Sequence, residues 1–167
     1  MKRALRLFGI LVLALVLLGA GWLTGRLGYG SVVEPASLSD AERAFAERMT
    51  GVSLVGSFTV AGREDRTPGP DRYDIFSVEK VGDDQWRFNA RMDCCGVNGM
   101  TLPIVVPMRF VGDTPMIMMT DTSLPGIGTF TVRVFFYGDR YSGTWQHGRV
   151  GGHMSGRIEK MTTTPAS

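Results

Sequence analysis

Residues 128–160 carry the pattern that most constrains the fold, because apolar and polar side chains alternate there between glycine-rich turns. The first run places its apolar members at Phe130, Val132, Val134 and Phe136. A period of two is that of a half-buried β-strand. Gly138-Asp139 predicts a tight turn, since glycine reaches positive φ without a steric penalty. Together with a second glycine-rich turn at 148–152, the block predicts three consecutive antiparallel strands.

The same alternation extends back to residue 52. A short helix over Asp40–Thr50 is predicted to precede it, because Ser39 and Glu42 form a capping box and Gly51 suits the position after a helix. The charged, proline-containing loop at 62–71 is predicted to be the most mobile rim element. Eight strands are predicted, over Val52–Ala61, Arg72–Val81, Gln85–Asp93, Thr101–Val111, Met116–Thr122, Gly128–Tyr137, Arg140–His147 and Gly152–Lys160.

These elements predict an all-β fold with no βαβ units, because no helical pattern interrupts the strands. Eight sequential antiparallel strands joined by short turns favour an up-and-down meander barrel, which removes exposed strand edges. A two-sheet sandwich is the alternative. The predicted fold is therefore an eight-stranded barrel preceded by a short α-helix and an N-terminal transmembrane or signal helix.

Two prolines predict a defect in the fourth strand. Pro103 and Pro107 share parity, so their missing N–H groups lie on the same side of the strand. Because proline cannot donate to a ladder, that side is expected to be poorly paired or bulged. We therefore predict a gap in the wall beside strand four.

The N-terminus predicts export. Lys2, Arg3 and Arg6 precede an uncharged run over residues 7–25, whose 19 residues would rise about 28 Å as a helix, close to the thickness of a bilayer core. Basic residues at this end favour an N-in orientation with the remainder in the periplasm or outside the cell. The run is interpreted as a single-pass anchor in the inner (plasma) membrane. Cleavage as a signal peptide, followed by secretion, is the alternative.

The predicted organisation is a signal anchor or signal peptide at 1–28, a tether at 29–38, the short helix at 39–51, the barrel at 52–161 and a disordered tail at 162–167. Four of the 18 Lys and Arg residues lie in or beside the anchor, while all 16 Asp and Glu residues follow it. The exported part is therefore slightly acidic, and nucleic acid is not expected as a partner.

The chain resembles the calycin-type barrels, namely lipocalins, fatty-acid-binding proteins and avidins. The resemblance covers residues 51–160 and rests on the short helix before the first strand, on Gly56-Ser57-Phe58 where many lipocalins have Gly-x-Trp, and on Arg157 in the last strand. Phe58 replaces the expected tryptophan, and the usual Thr-Asp-Tyr-type motif and C-terminal helix are absent. The segment 141–160 is also similar to uncharacterised exported bacterial proteins. The resemblance implies an apolar cavity inside the barrel.

Methionine-rich strands suit a pocket for flexible apolar ligands, because thioether side chains adapt to irregular shapes, although ordinary core packing explains them too. Arg91, Arg109 and Arg133 lie on polar strand faces and are expected to point to solvent, while an inward one could hold a carboxylate. The predicted ligand-binding residues are Trp86, Phe88, Met92, Met108, Met118, Trp145 and Arg157.

No pattern predicts catalysis, a cofactor or a metal centre, and the protein is not expected to be an enzyme. Cys94 and Cys95 are interpreted as small residues at a strand end, with a strained vicinal disulfide, an intermolecular bridge or a metal contact as alternatives. His147 and His153 flank the last hairpin and could approach each other across it, but turn or surface positions are favoured.

Two hypotheses of function follow. The first is a membrane-anchored, exported barrel that binds a small apolar or amphipathic, lipid-like molecule in its interior. The second is a non-enzymatic structural or interaction domain with a filled core, acting on an envelope protein.

Overall fold

The computed structural model describes residues 12–22, 32–63, 65–94, 97–124 and 127–161. Residues 12–22 are helical (α1) with exposed side chains. The predicted anchor at 7–25 extends past α1 at both ends, outside the described residues, as does the predicted tail at 162–167. Among the helices that are described, none has both the length and the apolar character required to cross a membrane.

A second compact unit begins at Val33 and contains a short helix followed by strands. A 3₁₀ turn over Pro35–Ser37 leads into helix α2, Asp40–Met49. The predicted capping box is confirmed, because the Ser39 hydroxyl accepts from the backbone N–H of Glu42 at 3.3 Å and the Ser39 N–H donates to the Glu42 carboxylate at 2.9 Å. Gly51 has φ of 72° and turns the chain into the first strand.

Eight antiparallel strands then form a closed barrel in sequence order. The last strand pairs with the first from Val52↔Lys160 to Phe58↔Met154, which closes the wall and rules out the sandwich alternative. The predicted meander barrel with its short helix is confirmed, and the fold is compatible with a calycin-like barrel. The strands are β1 (Val52–Phe58), β2 (Gly69–Lys80), β3 (Gln85–Cys94), β4 (Val97–Val111), β5 (Thr114–Leu124), β6 (Gly128–Tyr137), β7 (Arg140–His147) and β8 (Val150–Lys160).

The boundary difference that matters for the interior concerns β2, which starts inside the predicted loop at 62–71. Gly69 pairs with Phe58, and Pro70 with Ser57. A proline near the start of a strand costs little, because a donor is least needed there. The consequence is that Asp71 belongs to the barrel wall instead of to a solvated loop.

Helix α2 seals one end of the barrel. Phe45 and Met49 are 2% and 0% exposed. The Phe45 ring lies 5.8 Å from Trp86 and 5.6 Å from Phe136, measured between ring centroids. Phe88 and Phe110 also contact Phe45, so the inner side chains at this end form one aromatic cluster around the helix. We call the end of the barrel next to α2 the sealed end, and the opposite end, where β1 ends at Phe58 and β2 begins at Gly69, the open end.

The gap predicted beside strand four is confirmed. β4 pairs with β3 over ten register positions, from Gln85↔Pro107 to Cys94↔Val97, but with β5 only from Met108↔Ile117 to Val111↔Thr114. The Met108 N–H donates to the Asp84 carbonyl at 2.7 Å, on the β3 side. Since N–H direction alternates along a strand, Pro103 and Pro107 direct their missing donors towards β5. The prolines therefore lie where the ladder stops.

β5 is also irregular on its other side, where it pairs with β6. Its register with β6 shifts between Met119 and Thr122, and Asp121 has φ of 45°. The Asp121 N–H donates to the Thr131 hydroxyl at 3.0 Å, and Arg133 donates to the Met119 carbonyl and to the Thr120 hydroxyl. Side chains of β6 thus satisfy backbone groups of β5 at this bulge, where the β5–β6 ladder is interrupted.

Candidate functional site

The inner surface differs between the two ends of the barrel. At the sealed end Trp86, Phe88 and Phe136 around Phe45 are buried. At the open end eight apolar inner side chains are half-buried, although Asp71 and Met92 beside them are buried, and no helix of the described chain covers them. We call these half-buried side chains the open-end cup. Its members are Phe58, Tyr73, Leu102, Leu124, Phe130, Val132, Trp145 and Met154. Small-molecule sites are usually lined by apolar and aromatic side chains with a few polar groups, and the lining of the cup has this composition.

Trp145 carries an unused polar group in the cup. Its Nε1 atom is buried, and no hydrogen-bond acceptor lies within reach among the described residues. The Phe58 ring packs edge-on against the indole, with the ring centroids 5.9 Å apart. Because a buried donor without a partner costs about 1–3 kcal/mol, an acceptor on a bound molecule would be stabilised here.

Asp71 places a carboxyl group inside the barrel. It is 2% exposed, and it accepts hydrogen bonds from the Tyr141 hydroxyl at 3.2 Å and from Tyr73. None of the ion pairs of the described chain includes it. Burial raises the pKa of Asp71 above its ordinary value, and the two tyrosine hydrogen bonds offset this only in part.

Two glycines make this arrangement possible. A Cβ atom at Gly56 would lie 2.5 Å from the Tyr141 hydroxyl, and one at Gly156 would lie 2.7 Å from the Tyr141 ring. Backbone atoms of the paired strand would lie closer still, so glycine is required at both positions by the close approach of β1 and β8 as well as by the tyrosine, which is 1% exposed. The sequence therefore keeps a space on β1 and β8 for the hydroxyl that binds the buried carboxylate.

A second buried aspartate lies on the outer face of the same strand. Asp74 is 3% exposed and accepts from the Ser53 hydroxyl at 2.6 Å. Arg72 lies 2.8 Å from one carboxylate oxygen and Arg91 2.5 Å from the other. Burial alone would raise the pKa of Asp74, but the hydrogen bonds from Ser53 and Arg91 and the charges of both arginines outweigh burial and lower it.

The predicted ligand-binding residues separate into three groups. Trp86, Phe88 and Met108 lie at the sealed end, where they are at most 6% exposed. Met92, 5% exposed, opposes Tyr73 on the inner wall, and Trp145 belongs to the cup. Of these five residues, only Met92 and Trp145 lie in or beside the open-end cup.

Met118 and Arg157 lie on the outer surface, away from the interior. Met118 is 37% exposed and opposes Arg133. Arg157 lines an outer crevice of about 440 Å³ with Tyr137 and Arg140. Arg91, Arg109 and Arg133 also lie on the outer face, as expected, so an interior ligand would contact none of these arginines.

The two histidines do not face each other, contrary to the possible approach across the hairpin. His153 opposes Thr144 on the outer face, whereas His147 stacks on Phe130 with ring centroids 4.5 Å apart. Within the described ranges, no three His, Cys, Asp or Glu residues are grouped to hold a metal ion. Cys95 and the side chain of Cys94 lie outside the described part of the structure.

Sequence reasoning missed Asp71, Tyr73 and Tyr141 as a polar group inside the barrel. Tyr73 and Asp71 share the inward parity of Ile75, and that alternation is the signal that could have found them. It was hidden because Gly69-Pro70 is typical of a loop.

The chain matches no known protein family, no curated protein and no solved structure.

Proposed function

We propose that this chain is an exported, membrane-anchored binding protein that holds a small apolar or amphipathic molecule in the open-end cup. The observation that carries the proposal is the contrast between the buried aromatic cluster around Phe45 and the half-buried, aromatic-lined cup with an unpartnered indole N–H. A domain whose interior served only stability would gain by burying both halves and by pairing that donor.

The test is native mass spectrometry of the full chain, released from a non-ionic detergent after mild purification. We expect a co-purifying adduct of lipid-like mass. Val132→Phe, which adds volume next to Trp145, should reduce adduct occupancy about tenfold by filling the cup. Phe135→Leu, on the outer face of the same strand, is the matched control and should leave occupancy unchanged. Absence of any adduct in the wild-type protein, or equal loss in both variants, would contradict the proposal.

The second candidate is an interaction domain of the cell envelope with a filled core. The exposed aromatic side chains on the outer wall favour it, since Tyr137 is 71% and Phe135 42% exposed beside Arg140 and Arg157. Aromatic residues and arginine are enriched where proteins bind each other. Wild-type protein without an adduct, together with loss of a specific cross-link to an envelope protein in Tyr137→Ala, would favour this candidate instead.

We propose residues 7–25 as the membrane anchor, with the barrel outside the cytoplasm. The uncharged run and the basic residues before it support this placement. The intact mass of the membrane-extracted protein tests it. A mass that includes residues 1–28 is expected, whereas loss of these residues would show cleavage and secretion.

A further inference from the structure

We propose that the ligand of the open-end cup is an amphiphile with a protonated amine head group that binds Asp71, and that the barrel rejects carboxylates and other anions. This inference rests on the proposed function. It goes further because it assigns the chemical class of the head group and the residue that recognises it.

The first argument is the distribution of charge. Among the described inward-facing side chains of the open half, Asp71 is the one acidic group, and none is Lys or Arg. The arginines of the neighbouring strands, Arg72 and Arg91, are on the outer face and bind Asp74. Two further polar groups lie on this face, namely the neutral Trp145 indole N–H and His147, which stacks on Phe130 at the end of β7. With no Lys or Arg beside it among the described inward-facing side chains, Asp71 makes the interior the reverse of a fatty-acid site.

The second argument is the state of the Asp71 carboxyl group. Two phenolic hydroxyls donate to it, but a carboxylate offers about four acceptor positions. A buried carboxylate without a cation is unfavourable, and an ammonium group that reached it would interact more strongly than in water. A second carboxylate brought to the same place would be repelled.

The third argument concerns access. Asp71 lies one inward-facing position below Gly69, the residue at which β2 begins at the open end. The Phe58 ring covers Gly69 so closely that a Cβ there would lie 2.6 Å from it. Phe58 is itself only half-buried, and its other ring contact is with Trp145. Phe58 thus contacts both the cup residue Trp145 and the start of the strand that carries Asp71, and we infer that movement of this ring gives a ligand its route from the cup to Asp71.

The test compares three probes that share a twelve-carbon chain and differ in the head group: dodecylammonium, dodecan-1-ol and dodecanoate. Their occupancies on the full chain are measured at pH 7 by native mass spectrometry under competition. We expect the amine to bind about tenfold more tightly than the alcohol, and the alcohol about tenfold more tightly than the carboxylate, as for one charge interaction in a partly buried site.

Asp71→Asn should bring the amine to within about twofold of the alcohol and improve dodecanoate binding, because the variant removes the charge and keeps the shape. Tyr141→Phe keeps the charge and should keep the amine preference. Glu159→Gln, on the exposed outer face, is the control for net charge and should change nothing.

Each outcome separates the two proposals. If the wild-type protein binds none of the three probes, the proposed function fails. If it binds all three with similar affinity, prefers dodecanoate, or keeps its amine preference in Asp71→Asn, the binding function stands and the assignment of Asp71 is wrong.

Discussion

Asp71 and Asp74 are three residues apart on β2 and equally hidden from solvent, at 2% and 3% exposure, yet their surroundings are opposite. An odd separation on a strand places them on different faces. Asp74, on the outer face, has two arginines and a serine, and its pKa is lowered. Asp71, on the inner face, has two tyrosines, and burial raises its pKa. Burial alone therefore does not decide whether the pKa of a buried aspartate is raised or lowered; its hydrogen-bond and charged partners do.

The difference separates a structural role from a functional one. Asp74 joins β1, β2 and β3, because its partners Ser53 and Arg91 belong to the two neighbouring strands. Asp71 places a carboxyl group in an apolar interior, and because burial raises its pKa, its ionisation disfavours folding as the pH rises. Residues that reduce stability and are not needed for the fold are expected at functional sites.

The largest effect is expected for Asp74→Ala. The substitution removes the acceptor for one hydroxyl and two guanidinium groups, although the arginines can turn to solvent because each is nearly half exposed. The free energy of unfolding should fall by about 2–3 kcal/mol, measured by urea titration at pH 7. Glu159→Gln is the control, expected within about 0.5 kcal/mol of the wild type. A loss below about 1 kcal/mol for Asp74→Ala, which is the value of one ordinary hydrogen bond, would contradict a structural role.

Much of the fold could be predicted from the sequence, because it depends on local patterns. Alternation predicted the strands, the Ser39/Glu42 pair predicted the start of α2, and Pro103 and Pro107 predicted the gap beside β4. The two aspartates could not be assigned in this way. Their roles depend on register, which brings Arg91 opposite Asp74 and places Gly56 beside Asp71.

The predicted site residues show the same limit. Trp86 and Trp145 are both inward-facing aromatic residues, and the sequence does not distinguish them. Phe45 of α2 buries the first, whereas no described helix covers the second. Which end of the barrel the helix covers is a tertiary property, so the location of the cup could not be predicted from strand parity.

The next largest effect is expected for Tyr141→Phe. The change removes a hydrogen bond to a charged group and leaves Asp71 with one phenolic donor. We expect the free energy of unfolding at pH 7 to fall by about 1.5–2 kcal/mol. In an Asp71→Asn background the same change should cost about 0.5–1 kcal/mol, because the acceptor is then neutral. Equal costs in both backgrounds would show that the tyrosine contributes packing only.

Ser53→Ala tests the same hydrogen-bonded cluster around Asp74 on the outer face by removing a single hydroxyl group. The Ser53 hydroxyl, on a residue 2% exposed, donates to Asp74 at 2.6 Å and accepts from Arg72 at 3.0 Å. Because both arginines still bind the carboxylate, we expect a loss of about 1 kcal/mol in the free energy of unfolding. Ser57→Ala, on the same face of β1 near its end, is the matched variant and should cost less than about 0.5 kcal/mol. If Ser57→Ala lowers the free energy of unfolding more than Ser53→Ala does, the hydrogen bonds around Asp74 do not stabilise the fold more than an ordinary surface serine does.

The smallest effect is expected for the pH dependence of the free energy of unfolding in Asp71→Asn and Asp74→Asn. This measurement compares the two aspartates most directly. The lowered pKa of Asp74 contributes stability that is present above the unfolded-state value of about 3.9 and is lost as the pH falls through the folded-state value. The raised pKa of Asp71 has the opposite effect on the free energy of unfolding. Its contribution falls as the pH rises from the unfolded-state pKa of about 3.9 through the folded-state pKa.

Relative to the wild type, Asp74→Asn should therefore become more destabilising with rising pH, whereas Asp71→Asn should become stabilising, by about 1 kcal/mol at pH 7. Urea titrations at several pH values between acid and neutral measure both differences on the same protein. The two curves should diverge as the pH rises, because one carboxylate is compensated in the folded state and the other is not. Parallel curves would mean that Asp71 has a cationic partner in solution, and the proposed amine site would then lose its electrostatic basis.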